Sequence, residues 1–242
     1  MIVIFIPGLL CTEKVWGGLN LLRKQYQCYD ANVVDFNSIE DMADDCIKNI
    51  PSGDVAIIGI SMGGYVAIDI ALKLGSRVAK LILINTTASS VNLDTIPERE
   101  EAIKLAEQGQ MKEIVNMSKG ICFFNPKEEW LALEEEMAEK IGCQPYIRQQ
   151  RAIISRKNNT RELKEIMANS LIITGNNDKV LPYEHSIVLF KNIPKPNLII
   201  LNECGHLSTL EKSSDVFDYV AKFIGSCHEH NGLSKNEMFG IS

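Results

Sequence analysis

The sequence predicts an α/β protein with a mostly parallel central sheet, flanked by helices, and a helical cap inserted between two strands. Three observations carry this prediction. Short apolar runs recur without polar alternation, which is typical of strands buried on both faces of a parallel sheet. Segments with helical periodicity separate these runs. The length of 242 residues suits one large α/β domain, so we expect a single domain over residues 1–242.

The predicted core strands are apolar runs rich in isoleucine, leucine and valine. They are Ile2–Ile6, Val55–Ile60, Leu81–Ile84, Leu171–Ile173 and Leu198–Leu201. A weaker run, Ala31–Val34, is predicted as a further strand. Because parallel strands place their carboxyl ends at one edge of the sheet, the loops that follow these runs are expected to lie close together.

Helices are predicted between the strands. The clearest begins after Ser61 and stops at Gly75, with apolar residues at helical spacing: Val66, Ala67, Ile70, Ala71 and Leu74. Weaker helices are predicted over Leu21–Gln27 and after Asp41. Near the end of the chain, Ser213 or Ser214 can cap a further helix.

Residues 87–168 carry no strand pattern and are polar and charged. Their helical patches are Glu98–Gln108, Met111–Met117, Glu128–Lys140 and Tyr146–Ile154. Strand–helix blocks flank this region on both sides. We therefore expect a helical cap, inserted after the strand Leu81–Ile84, that lies on the loop side of the sheet and is a candidate lid.

Composition indicates a soluble globular protein. The chain is 45% apolar and 23% charged, and its net charge of −6 does not favour nucleic acid or an anionic membrane as a partner. The start, MIVIFIPGLL, has no basic leader and reaches Pro7-Gly8 early. No stretch approaches the roughly 18 apolar residues that a membrane span requires. We expect a cytoplasmic protein.

The cysteines and tail histidines do not indicate a metal site. The seven cysteines are scattered without CxxC spacing, so neither a disulfide framework nor a zinc site is predicted. His228 and His230 lie in a polar tail after Cys227 that is expected to fray, where such a pair is usually only solvated. We expect no metal.

A lone serine between glycines is the main candidate for chemistry. Gly59-Ile60-Ser61-Met62-Gly63 fits G-x-S-x-G and lies between a predicted strand and a predicted helix. A sharp strand-to-helix turn strains the central residue and crowds its neighbours, which glycine relieves. Ser61 would then protrude at a helix N-terminus that favours negative charge. The alternative is a glycine-rich turn with a capping serine.

A serine nucleophile requires a base and a group that orients the base. Asp178 follows the strand Leu171–Ile173, and His206 follows the strand Leu198–Leu201. Both loops are expected at the sheet edge of Ser61, in the chain order that this arrangement demands. Rival residues are expected to be surface or packing groups: His185, Glu184, Glu203 and Cys204.

An oxyanion hole requires two N–H donors near the serine. The amide of Met62, which follows the candidate nucleophile, supplies one. The second is expected from Leu9, since Gly8 allows the loop after the first strand to turn toward the site. The alternative for this loop is an ordinary β-turn.

At these motifs the chain resembles the α/β-hydrolase family, over nearly its whole length. "GISMGG" is similar to the nucleophile elbow, "FIPGLL" with "VW" to the oxyanion loop, "LIITGNNDKVLP" to the acid turn, and "NECGHLSTLEKSSDV" to the histidine loop and final helix. The size and single cap resemble small esterases such as pimeloyl-carrier-protein methyl esterase, enol-lactonases and menaquinone-pathway hydrolases. The resemblance implies an α/β-hydrolase fold and says little about the substrate.

Three positions depart from the family pattern. Pro7-Gly8 replaces the common His-Gly of the oxyanion loop, and Ile60 replaces the usual histidine before the nucleophile. The stretch "VVDFNSIEDM" replaces the common Asp-x-Arg-Gly-x-Gly. None of these departures removes Ser61, Asp178 or His206.

We interpret the chain as a serine hydrolase that cleaves a small carboxylic ester, thioester or lactone through an acyl-enzyme on Ser61. This chemistry requires no cofactor. Two alternatives stay open. The same fold and triad can serve carbon–carbon bond hydrolysis or proton abstraction with elimination, and the scaffold can bind a ligand without catalysis.

The substrate, a small acyl compound, is expected between the sheet edge and the cap. Candidate substrate-binding residues are Leu10, Phe123, Phe124 and Trp130, with Met62, Met117, Ile121 and Leu131 as further wall residues. The alternative is that these side chains only pack the cap onto the core.

The segment "YIRQQRAIISRKNNTRELKEI" is basic within an acidic protein. One hypothesis is a docking face for an acyl carrier protein or another acidic partner. The alternative is a solvated helix face whose cations pair with nearby glutamates. The cations are Arg148, Arg151, Arg156, Lys157, Arg161 and Lys164.

Overall fold

A computed structural model describes residues 1–225, and the tail predicted to fray lies outside this range. Its sheet has parallel strands in the order β2-β1-β3-β4-β5-β6. The strands are β1 (Ile2–Ile6), β2 (Gln27–Asp30), β3 (Val55–Ile60), β4 (Val78–Ile84), β5 (Asn169–Gly175) and β6 (Pro196–Leu201). The predicted α/β class with a parallel sheet is confirmed.

Helices connect the strands and cover both faces of the sheet. They are α1 (Ile39–Asn49), α2 (Met62–Leu74), α3 (Ile96–Glu107), α4 (Met111–Ser118), α5 (Glu128–Ile141), α6 (Cys143–Ser155), α7 (Glu184–Asn192), α8 (Ser208–Glu211) and α9 (Ser213–Gly225). A 3-10 segment, Glu13–Lys24, kinks at Gly17, where φ is +49°. Within residues 1–225 no helix combines the length and apolarity needed to cross a membrane.

Two hydrophobic layers explain why the strand runs are continuously apolar. In β1, the side chains of Ile4 and Ile6 join the layer beneath α1 and α2. Those of Val3 and Phe5 join the opposite layer, beneath the Glu13–Lys24 segment and α9. Because successive side chains point to opposite faces, a strand covered on both sides must be apolar at every position.

Two weak predictions were wrong. The second strand is β2 rather than Ala31–Val34, and helical turns end at Lys24 instead of spanning Leu21–Gln27. Among residues 1–225, strand β2 pairs with β1 alone, at the sheet edge, and it is half exposed, so it lacks an apolar run. The predicted strand forms a turn instead, in which the Asn32 side chain accepts a hydrogen bond from the Val34 amide at 3.2 Å.

The inserted helices α3–α6 lie between β4 and β5, as predicted. Helices α3, α4 and α6 form a small hydrophobic cluster of their own, which includes Ile103, Ile114 and Tyr146, whereas α5 packs on the sheet layer of Val3 and Phe5. Leu9 and Leu10, in the loop that follows β1, pack against this cluster. The insertion therefore rests on the loops at the carboxyl edge of the sheet, where the candidate site residues lie.

Candidate active site

Ser61 lies at a strained turn between β3 and α2. Its φ of +52° and ψ of −119° fall outside the regions that non-glycine residues prefer. The Ser61 amide donates a hydrogen bond to the Ile84 carbonyl at 3.0 Å, and the Ser61 carbonyl accepts one from the Thr86 hydroxyl at 2.8 Å. Contacts to β4 and its loop therefore hold the turn that presents the serine side chain.

Glycines surround Ser61 because neighbouring backbone leaves no space for a Cβ atom. At Gly63 a Cβ would overlap the carbonyl oxygen of Ile6, and at Gly59 it would lie 2.5 Å from the Gly63 carbonyl oxygen. At Gly64 it would overlap the Thr86 side chain. The crowding that the sequence predicted on both sides of the serine is present, and it extends to the second glycine of the pair.

The structure brings Ser61, Asp178 and His206 together in one hydrogen-bonded chain. His206 Nε2 lies 2.8 Å from Ser61 Oγ, and His206 Nδ1 lies 2.8 Å from Asp178 Oδ2. Asp178 and His206 are buried. Since the carboxylate only accepts, we assign the proton to Nδ1, which leaves Nε2 free to accept from the serine hydroxyl.

Asp178 is held in its ionised form. Burial by itself would raise the pKa of this carboxyl, but His206, the Leu181 amide and the Asn85 side chain together lower the pKa below its ordinary value. Its Oδ1 accepts hydrogen bonds from the amides of Val180 and Leu181, both at 2.8 Å. At neutral pH the carboxylate is therefore charged and fixed in orientation.

Asn85 is a site residue that the sequence reasoning missed. It is buried at the carboxyl end of β4 with a φ of +45°. Its Nδ2 donates to Asp178 Oδ2 at 2.9 Å and to the Gly205 carbonyl at 3.3 Å. Its Oδ1 accepts from the Ser208 hydroxyl at 2.6 Å. Asn85 thus links the acid to the histidine loop. In the sequence, the only indication of this role was that a polar residue directly follows a predicted strand.

We expect Asn85→Ala to lower the free energy of unfolding by about 2–4 kcal/mol. The substitution leaves the buried Ser208 hydroxyl without its acceptor and removes a donor from Asp178. Urea denaturation would measure the change. Asn176→Ala is the matched control, because this exposed side chain donates a hydrogen bond to Asn202 Oδ1, at 3.2 Å, on the protein surface. Equal unfolding midpoints for the two variants would contradict the linking role.

The two predicted oxyanion donors belong to chain segments that adjoin Ser61. The loop after β1 passes so close that a Cβ on Gly8 would lie 3.2 Å from the Ser61 Cβ. Within residues 1–225 neither the Leu9 amide nor the Met62 amide has a hydrogen-bond acceptor. The next residue, Leu10, has a φ of +55°, and its amide donates to Gln149 Oε1 of α6 at 3.1 Å. The insertion therefore holds this loop in place.

The predicted substrate-binding residues occupy different environments. Phe123 is fully buried and stacks on Trp130, with ring centroids 5.5 Å apart. Phe124 is exposed, and Leu10 packs half-buried against the cluster of the insertion. The Phe123–Trp130 pair belongs to the same hydrophobic layer as Ile60 and therefore contributes to packing.

A cavity of about 70 Å³ lies one helical turn beyond the serine rather than at the triad itself. Tyr65, Thr87 and Arg156 are among its lining residues. The Arg156 guanidinium lies 4.5 Å above the Tyr65 ring and donates to backbone carbonyls, including that of Ser89. Arg156 is thus engaged by Tyr65 and the backbone, and Thr87 by His185, which makes this cavity a weaker candidate for substrate than the region above Ser61.

The rival residues lie outside the hydrogen-bonded chain of Ser61, His206 and Asp178. His185 lies in α7, with Nδ1 3.2 Å from the Thr87 hydroxyl. Glu184 and Glu203 are exposed. Cys204 is buried, and burial raises the pKa of its thiol to about 12, which leaves too little thiolate for a nucleophile. Within residues 1–225 no three His, Cys, Asp or Glu residues are grouped as metal ligands.

Glu134 of α5 is a second carboxyl near the site. Its Oε2 is buried and has no hydrogen-bond partner in the described part of the chain, residues 1–225. Burial raises the pKa of Glu134 above its ordinary value, while the Cys122 thiol, the Gly120 amide and His206 oppose this rise. The same surroundings affect the neighbouring Cys11: burial and the negative charge of Glu134 raise the pKa of its thiol to about 12. The charged form of Glu134 is therefore unfavourable in the folded state.

We expect Glu134→Gln to raise the melting temperature by about 2–4 °C at pH 8. A carboxyl group whose pKa rises on folding does not destabilise the folded state at a pH below its pKa in the unfolded state, because it is then neutral in both states. The destabilisation is complete at a pH above its pKa in the folded state. Since part of the side chain reaches solvent, screening limits the gain to about 1 kcal/mol. The gain should vanish near about pH 4. Thermal melts at both pH values measure it, with the exposed Glu135→Gln as control. A lower melting temperature at pH 8 would refute this expectation.

Most cations of the basic segment have partners within the chain. Arg148 donates to the Val34 carbonyl at 2.7 Å, Arg151 lies 3.4 Å from Glu107, and Lys157 lies 2.7 Å from Glu40. These contacts favour the interpretation of a helix face that pairs with nearby carboxylates. A docking role for this segment stays a prediction.

Comparison with known proteins places the chain in a family. Residues 23–213 match the family model described as alpha/beta hydrolase fold, so the chain belongs to the α/β-hydrolase-fold family. The predicted fold is therefore confirmed by both topology and family membership.

The sequence comparison also finds individual relatives. The chain is 30% identical over 182 residues to a 2-hydroxy-6-oxononadienedioate/2-hydroxy-6-oxononatrienedioate hydrolase 1 of Dechloromonas aromatica, an alignment that covers 70% of this chain. The chain spans about 62% of that relative's length.

Solved structures share the fold at lower identity. A thermophilic esterase from Thermogutta terrifontis superposes with a TM-score of 0.83 at 20% identity, covering 93% of this chain and 89% of the esterase. The enol-lactonase from Burkholderia xenovorans gives a TM-score of 0.81 at 17% identity, covering 93% and 91%. At such identities the likeness concerns the fold alone.

Proposed function

We propose that this protein is a serine hydrolase that cleaves a small carboxylic ester, thioester or lactone. The observation that carries the proposal is the hydrogen-bonded chain from Asp178 through His206 to Ser61. This chain ends at a serine on a strained turn, beside the loop that carries Leu9 and directly before Met62, whose amides are the proposed oxyanion donors. These are the parts that acyl transfer to a serine requires.

In the proposed mechanism Ser61 Oγ attacks the substrate carbonyl carbon while His206 Nε2 takes the hydroxyl proton. Asp178 holds the Nδ1–H tautomer and stabilises the imidazolium that forms. The amides of Leu9 and Met62 donate hydrogen bonds to the oxyanion. His206 then protonates the leaving group. A water molecule, deprotonated by His206, hydrolyses the acyl-enzyme, and no cofactor takes part.

We place the substrate between the sheet edge and the insertion, with residues 87–168 as its cap. The hydrophobic cluster of α3, α4 and α6 packs against the side chains of Leu9 and Leu10. The backbone amide of Leu9 is one of the two proposed oxyanion donors. Leu10, Phe123, Phe124 and Trp130 are the proposed wall residues. An apolar wall of this kind suits a short acyl or aryl group.

Carbon–carbon bond hydrolysis is the second candidate function. The observation that favours it is the 30% identity to a 2-hydroxy-6-oxononadienedioate/2-hydroxy-6-oxononatrienedioate hydrolase. A serine triad can serve either bond, so the geometry of Ser61, Asp178 and His206 does not separate the two.

One experiment separates the candidates: parallel assays of wild-type protein on p-nitrophenyl esters from acetate to octanoate and on 2-hydroxy-6-oxononadienedioate. A kcat/KM for an ester at least about tenfold higher than for 2-hydroxy-6-oxononadienedioate supports the esterase proposal. The reverse ratio supports carbon–carbon cleavage. Saturable binding without turnover of either substrate would overturn both in favour of a non-catalytic scaffold. The acyl chain length with the highest kcat/KM would indicate the size of the acyl pocket.

A further inference from the structure

Glu211 joins the histidine loop to the insertion through both of its carboxylate oxygens. It ends α8, five residues after His206. Its Oε2 accepts a hydrogen bond from the Gly205 amide at 2.5 Å, and its Oε1 accepts one from the Phe124 amide at 3.0 Å. The Asn125 amide lies 3.5 Å from the same Oε1. One side chain thus holds the backbone of two segments that are distant in sequence.

The same two segments are also joined directly. The Cys122 carbonyl accepts hydrogen bonds from the amides of His206 at 2.8 Å and Leu207 at 3.0 Å. Gly205 makes this approach possible, because a Cβ there would lie 2.7 Å from both the Cys122 oxygen and the Phe124 nitrogen. We call Glu211, residues 122–125 and residues 205–207 the histidine clamp.

A carboxylate is the side chain that suits the clamp. The backbone amides of Gly205 and Phe124 approach from two sides, and each requires an acceptor. A carboxylate offers two acceptor oxygens, whereas a glutamine would turn an NH₂ group toward one of the amides. Hydrogen bonds to a charged acceptor are also shorter and stronger than neutral ones.

We propose that Glu211 is a positioning residue for His206, which rests on the proposed role of His206 as the base. Glu211 acts through Gly205 and not through the substrate. Asn85 holds the carbonyl group of the same residue, since its Nδ2 donates to the Gly205 carbonyl at 3.3 Å. Because the clamp includes Phe123, which stacks on Trp130 of α5, it also connects the start of α5 to the histidine loop. In this proposal, a displacement of the start of α5 is transmitted to the base.

The test compares Glu211→Gln and Glu211→Ala with the control Glu203→Gln. The control removes the same charge from the same loop, at an exposed side chain. On the best p-nitrophenyl ester we expect kcat to fall about 10-fold for Glu211→Gln and about 100-fold for Glu211→Ala, with KM within about twofold. The control should keep wild-type values. Circular dichroism and thermal melts establish that each variant is folded at the assay temperature.

A second readout does not depend on turnover. The His206 Nδ1 proton, hydrogen-bonded to Asp178, is expected to give a far-downfield proton NMR signal in the wild type and in Glu203→Gln. In Glu211→Ala this signal should broaden through faster solvent exchange. If the wild type hydrolyses no ester, this measurement still tests the clamp, so failure of the proposed function and failure of the clamp are distinguishable.

Two results would overturn the proposal. One is a kcat for both Glu211 variants within about twofold of the control. The other is an unchanged Nδ1 proton signal in the folded variants. Should Glu211→Ala not fold, Glu211→Gln, which keeps one acceptor oxygen, carries both measurements.

Discussion

Replacing Ser61 with alanine is expected to lower kcat by about 10⁴- to 10⁶-fold for whichever bond the wild type cleaves through an acyl-enzyme. The substitution removes Oγ, which lies 2.8 Å from His206 Nε2, and leaves the base with nothing to deprotonate. The Asp178–His206 bond and both predicted oxyanion donors stay in place. Steady-state assays on the preferred substrate measure the loss.

Folding should not contribute to this loss. Alanine adopts the φ of +52° at position 61 with a strain similar to that of serine, and its Cβ occupies the same space. We therefore expect a melting temperature within about 2 °C of the wild type. Ser52→Ala, at an exposed position, controls for the loss of a hydroxyl elsewhere. Residual activity above a few per cent in folded Ser61→Ala would exclude Ser61 as the nucleophile.

Gly63→Ala is expected to lower the free energy of unfolding by at least about 3 kcal/mol, and so the melting temperature by about 10 °C. The added Cβ would overlap the carbonyl oxygen of Ile6 at the end of β1. That strand pairs on both sides, with β2 and β3, and cannot shift without breaking ladder hydrogen bonds. Soluble yield and thermal melts measure the effect.

Gly225→Ala is the matched control for this prediction. Gly225 ends α9, and a Cβ there would meet no atom of residues 1–225 within 4 Å. Its melting temperature should stay within about 2 °C of the wild type. A Gly63→Ala protein as stable as this control would show that the elbow tolerates a methyl group. The glycine would then need another explanation.

Much of the fold was predictable from local patterns. Strands β1 and β3 were predicted with their exact bounds, and β4 and β6 were predicted with their exact last residues. The first residues of β4 and β6 lie three and two residues earlier than predicted, and β5 extends two residues further at each end. The helices of the insertion were likewise predicted within a few residues. The exception, β2, forms the sheet edge and is half exposed, so no continuous apolar run marks it.

By itself, the sequence determined which residues meet at the sheet edge. Buried parallel strands must be apolar throughout, and each strand places the residues that follow it at the same edge of the sheet. The proximity of Ser61, Asp178 and His206 could therefore be predicted from the sequence. Crowding at the strand–helix turn likewise required glycine at positions 59 and 63, a constraint that is visible in the sequence.

Only the tertiary structure decided what holds these residues in place. Asn85 reaches Asp178 across 93 positions of sequence, and Glu211 reaches Phe124 across 87. Such contacts follow no period, because they depend on how loops from different strands pack against one another rather than on the repeat of a helix or strand. A polar residue in a loop is ordinary in sequence, and its role becomes visible only with its buried partners.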